Sequence, residues 1–222
     1  MVVLEIISSL CKVVMFLTTC YLFFIGLKIR EKEKLILPFW FLSFFSLIDS
    51  SLYIYAVIIH KDVNTYNLIS KWTQLCYILI EFFVISNFLL DINNVNYRKI
   101  IKRIIIFLLL TILFVTIINN WDFKEKYYTI ITLLELIIIN SLCIRYLLIS
   151  SPDNQDKINK KISTIVRGIF LFINISSPYY IIIQFILHEP YRILSSLSFI
   201  NDIAYTVFFY HLIKSLKCQY KK

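Results

Sequence analysis

The sequence predicts an all-α polytopic membrane protein, a bundle of seven transmembrane helices with little chain outside the bilayer. Three observations carry this. The 222 residues are 59% hydrophobic with a mean hydropathy of +0.76, more apolar than a soluble core of this length needs. Apolar runs recur seven times at the length of about 20 residues that a helix needs to cross a hydrocarbon layer about 30 Å thick. Lys and Arg gather at alternate ends of those runs.

The spans are expected at 3–28, 36–60, 67–92, 100–119, 127–149, 163–187 and 192–215, as a single transmembrane domain. The first begins without a positive charge, carries Glu5 and lacks a small-residue cleavage pattern, so it reads as a true helix rather than a cleaved leader. The segments Arg30 to Leu35, Lys61 to Tyr66, Asn93 to Lys99, Asn120 to Lys126, Ser150 to Ile162 and His188 to Tyr191 separate the spans. They hold the charges, Asn, Asp and Pro that close one helix and open the next. Strands are a poor alternative, since open edges leave backbone groups unsatisfied in lipid and the period-2 alternation of a membrane barrel is absent. Pro178 is expected to kink the sixth helix. Gly26 and Gly168 are the only glycines, and Ala56 and Ala204 the only alanines. With no GxxxG face, packing falls to Ile, Leu, Phe and Ser.

Orientation follows from the basic residues, because cytoplasmic loops retain Lys and Arg near helix ends. Lys28, Arg30, Lys32 and Lys34 follow the first span, Arg98, Lys99, Lys102 and Arg103 the third, and Arg145, Lys157, Lys160, Lys161 and Arg167 the fifth. With Lys214, Lys217, Lys221 and Lys222 in the tail, 17 of the 23 basic residues share one side, against Lys61, Lys71, Lys124, Lys126 and Arg192 on the other. The N-terminus is therefore expected outside and the C-terminus in the cytoplasm. The net charge of +9 is explained by this distribution and by contact with lipid headgroups, which leaves no call for nucleic acid as a partner.

The inventory for catalysis is thin. Five cysteines without a CxxC pair give neither a disulfide framework nor a zinc site. Core packing is the expected role of Cys11, Cys20, Cys76 and Cys143, and Cys218 lies in the basic tail. His60, His188 and His211 fall at different depths and cannot form one metal site. No cofactor motif occurs, and no Ser or Cys has an evident base beside it.

Polar residues near mid-membrane stand out instead, since a charge there costs about 2.5–3.5 kcal/mol on insertion. Asp49, Glu81, Glu135 and Asp202 lie well inside the second, third, fifth and seventh spans, between the midplane and the outer leaflet in this orientation, and Asn174 and Asn201 join them. Hydroxyls recur one turn away, where side chains share a helix face. Tyr53 follows Asp49 by four, Tyr77 precedes Glu81 by four and Tyr205 follows Asp202 by three. Ser46 and Ser50 flank Asp49, Ser198 precedes Asp202, and Thr132 precedes Glu135. Lys12 is the one basic residue deep in the outer half, and one charge cannot balance four carboxylates. Several must carry a proton or hold something positive. Either the acids lock the bundle through hydrogen bonds, or Asp49, Tyr53, Tyr77, Glu81, Glu135, Asn174, Asn201, Asp202 and Tyr205 line an outward cavity that binds a cation, a proton or an amine.

Known seven-helix families leave their marks elsewhere. A retinal protein needs a lysine near the middle of the last helix, where this chain has Asn201-Asp202-Ile203-Ala204-Tyr205. A G-protein-coupled receptor should end its third helix on an Asp-Arg-Tyr-like motif, and here that end reads Asp91-Ile92-Asn93. With Ile80-Glu81-Phe82-Phe83, Asn201-Asp202, very short loops and Ile/Asn/Lys-rich usage, the chain resembles the small uncharacterised seven-helix inner-membrane proteins of Bacteroidetes-type bacteria. The resemblance implies a bacterial inner-membrane location and brings no activity with it. The expected function is a receptor-like or signalling subunit that binds a small or cationic ligand in the polar layer. Its short loops imply output through a protein partner or a homo-oligomer in the lipid bilayer. A small channel or transporter subunit is the alternative, although broken glycine-rich helices and an internal repeat are missing. A membrane-embedded enzyme using carboxylates comes third.

Overall fold

A computed structural model describes residues 2–29, 37–60, 79–93, 98–118, 125–149, 157–186 and 198–217. These residues are helical, and no strand occurs among them. In chain order the helices are α1 (Val2–Ile29), α2 (Leu37–Tyr53, continued by a π-helical turn over Ile54–Ile59), α3 (79–92), α4 (Arg98–Ile118), α5 (Glu125–Ile149), α6 (Lys157–Ile186) and α7 (Phe199–Lys217). Among the described residues, three helices are long and apolar enough to cross a membrane, over Ile6–Leu27, Pro38–Ile59 and Asn159–Tyr179. Leu136–Ile149 in α5 forms a shorter apolar helix. The parts of the expected third and seventh spans at 67–78 and 192–197 lie outside the described residues.

The ends of the helices have local causes. Pro38 stands in the first turn of α2, where a backbone N–H has no intrahelical acceptor to lose. At the far end the chain widens into the π turn directly after Tyr53, and His60 closes it by donating its N–H to the Tyr55 carbonyl at 3.1 Å. The α3 terminus is tied down by Asn93, whose amide donates to the Leu89 carbonyl and, across to α5, to the Leu142 carbonyl at 3.1 Å. Asp91 then pairs with Arg98 and Lys102 at the start of α4. The α6 helix runs without interruption through Pro178. Proline deprives the Asn174 carbonyl of its usual donor four residues on, and the Ser177 hydroxyl donates to that carbonyl at 3.4 Å.

Packing centres on α7, which contacts α1 and α6, while α5 lies on α6 and α2 on α1. Phe208 of α7 is fully buried, edge-on to Phe39 of α2 and tilted against Phe172 of α6, and Phe39 in turn meets Phe88 of α3 edge-on. Ile85, Leu89, Ile139, Ile165, Ile169 and Leu212 complete this interior. Both glycines mark close helix approaches. A Cβ on Gly26 would run into the Trp40 indole of α2, and one on Gly168 would come within 2.6 Å of the His211 Cβ of α7.

The polarity of α1 is inverted relative to a helix on a water-soluble protein. Its inward seam is Ser8, Lys12, Met15, Thr19, Leu22 and Gly26, at steps of four and three. The opposite face exposes Leu10, Leu17 and Phe24 at 60%, 60% and 64%. Apolar residues outside and polar residues inside suit lipid as the surrounding medium.

Candidate functional site

The inward seam of α1 brings Lys12 against α2 and α7. Its ammonium donates to Asp49 Oδ2 at 2.8 Å and to Asp202 Oδ1 at 3.2 Å. The side chains are 11%, 18% and 5% exposed for Lys12, Asp49 and Asp202, so water screens the trio weakly. Lysine side chains near helix ends extend toward headgroups, whereas this one is held inside by two acids. The Tyr53 ring stands with its centroid 5.7 Å from the ammonium, and the Tyr53 hydroxyl lies 3.5 Å from Ser9 Oγ. A shared hydroxyl contact, Ser8 Oγ to Ser198 Oγ at 3.3 Å, ties α1 to the start of α7 one turn away. The first turn of α7 forms there, with the N–H groups of Asn201 and Asp202 both donating to the Ser198 carbonyl.

A second acidic position adjoins along α7. The Tyr205 hydroxyl donates to Glu81 Oε2 of α3 at 2.8 Å, and Glu81 is 3% exposed. Tyr205 is packed by Phe172 and Phe209, which fixes the ring and hence the hydroxyl. Among the described residues, Glu81 Oε1, Asp202 Oδ2 and Asn201 Oδ1 are buried without a hydrogen-bond partner. Unsatisfied acceptors at adjoining positions mark a place where a proton or a small donor would be stabilised.

The site differs from the sequence expectation in three respects. Lys12, set aside as too little charge for four carboxylates, is the residue on which two of them converge. Tyr205, expected to serve Asp202 on its own helix, serves Glu81 on another. Asn174 does not join this cluster: it is exposed on α6 and donates to Asn140 Oδ1 of α5 at 3.2 Å. Tyr77 and the side chains of Glu135 and Thr132 lie outside the described residues. Ser50 bonds backward within α2, to the Ser46 carbonyl at 2.7 Å. The signal that finds Lys12 in sequence is its register, four residues from Ser8 and opposite the apolar stripe.

Among the described residues no group of three His, Cys, Asp or Glu is placed to hold a metal ion. In comparisons with known proteins, no family model, no curated protein and no solved structure matches the chain.

Proposed function

We propose that the chain is a seven-span protein of a bacterial inner-membrane type of bilayer, with the N-terminus outside and the C-terminus in the cytoplasm. In this reading it is a receptor-like subunit whose buried acids take a small cation from the outer side. The observation that carries the reading is the Lys12 bridge, one ammonium on α1 shared by carboxylates on α2 and α7. Two acids held against one ammonium in a poorly screened place suit a further proton or a small cation. A cation that takes the place of the ammonium releases α1 from both neighbours at once. Occupancy then becomes a change in helix position, because the ligand binds differently to the bridged and the released arrangements. In this reading the change in helix position passes to a partner in or at the membrane.

Trp40 is a native reporter of this event, since its indole Nε1 donates to the Phe23 carbonyl of α1 at 3.2 Å and its ring stacks on Phe23. In vesicles holding protein with Trp72→Phe and Trp121→Phe, methylammonium should change Trp40 emission saturably. Asp49→Asn removes one of the two acids and should abolish the response. An emission that never changes, or an equal response in Asp49→Asn, contradicts the reading.

A further inference from the structure

The amide pair of Asn140 and Asn174 joins α5 to α6, with Asn174 exposed and Asn140 half-buried. Asn140 lies nine residues from the nearer end of α5, about 13 Å along a helix, and Asn174 is deeper still within α6. Lipid at that depth offers no hydrogen bonds. The Asn174 amide nitrogen uses both its hydrogens, on the Phe170 carbonyl at 2.7 Å and on Asn140 Oδ1 at 3.2 Å. Two groups of this bonded amide pair are left without a partner among the described residues, the acceptor Asn174 Oδ1 and the donor Asn140 Nδ2.

We infer that this α5–α6 face docks onto the same face of a second copy of the chain. A donor next to an acceptor is self-complementary under a two-fold axis: Asn140 Nδ2 of each copy meets Asn174 Oδ1 of the other, closing two equivalent hydrogen bonds. Amide contacts of this kind hold transmembrane helices together where apolar contact alone gives no preference over lipid. Ile137, 63% exposed, and Leu171, 40% exposed, flank the pair and supply the surrounding apolar contact. A different protein would have to bring its own matching donor and acceptor, whereas the second copy already has both. The outer stripe of α1, led by Leu10, Leu17 and Phe24, is satisfied by lipid.

The inference assumes that α5 and α6 lie in lipid, as in the seven-span reading. Full-length protein labelled in two colours and reconstituted at high dilution in phosphatidylcholine and phosphatidylglycerol vesicles should show energy transfer between copies. Asn140→Leu/Asn174→Leu should weaken association at least tenfold. Because that variant also removes a bond between α5 and α6, a second one decides independently. Asn174→Cys, in a chain whose five native cysteines are replaced by Ser, should cross-link copy to copy on mild oxidation, and Leu27→Cys on the outer α1 stripe should not. Monomers in the wild type, unchanged association in the Leu variant, cross-linking at position 27 instead of 174, or capture of a different protein through this face would each overturn the inference. Failure of the wild type to insert in vesicles would instead remove the membrane reading itself.

Discussion

At the scale of single residues, charge arithmetic around Lys12 ranks substitutions in an order that side-chain size does not. Asp49→Asn leaves the ammonium its bond to Asp202 and replaces a charge-assisted bond by a neutral one, so the loss should be about 1 kcal/mol. Lys12→Met leaves two carboxylates facing each other in a poorly screened place, and breaking a buried pair from one side costs about 3–5 kcal/mol. Unfolding of the reconstituted protein in mixed micelles, followed by Trp emission, measures both. Equal losses for the two variants would show that packing, not charge, holds this cluster. The bridge also shows the reach of local rules. Hydroxyls one turn from each acid are legible in sequence, because residues three or four apart share a face. That Tyr205 reaches Glu81 on α3, 124 positions away, depends on helix placement that spacing along one helix does not contain.

Helices were largely legible, because hydropathy and length report directly on what surrounds a segment. The α1 helix, expected at 3–28, runs Val2–Ile29, and α4, expected at 100–119, runs Arg98–Ile118. The α6 helix starts at Lys157, six residues before its expected apolar stretch, since a helix continues past an apolar run as long as its backbone bonds are satisfied. The π turn after Tyr53 has no counterpart in the hydropathy, which averages over a turn and cannot register one extra residue in it. Nor does composition announce that both glycines lie at helix contacts; it shows only that they are scarce. The Trp40 ring of α2 lies over Gly26, so a side chain there must displace that ring from its place against Phe23. Gly26→Leu should lower stability by about 1–3 kcal/mol, as overpacking does in dense interiors. Leu27→Gly, one position round on the exposed face, reports the loss of helix propensity alone, about 1 kcal/mol. A Gly26 variant no less stable than wild type would place the close approach elsewhere.

For the whole molecule, topology and motion are linked, because a cation from outside reaches the Lys12 bridge only if the N-terminal end of α1 faces outward. A reporter active only in the cytoplasm should work when fused after Lys222 and fail when inserted at Asp62, and the reverse pattern would turn the bundle over. The proposed switching of α1 is tested most directly by a distance between two spin labels placed on exposed positions, Leu17→Cys on α1 and Tyr210→Cys on α7, with the five native cysteines replaced by Ser. In lipid nanodiscs, methylammonium should populate a second distance that grows saturably at the expense of the first and is absent when Asp49→Asn is added. A single distance, unchanged at every methylammonium concentration, would contradict the account.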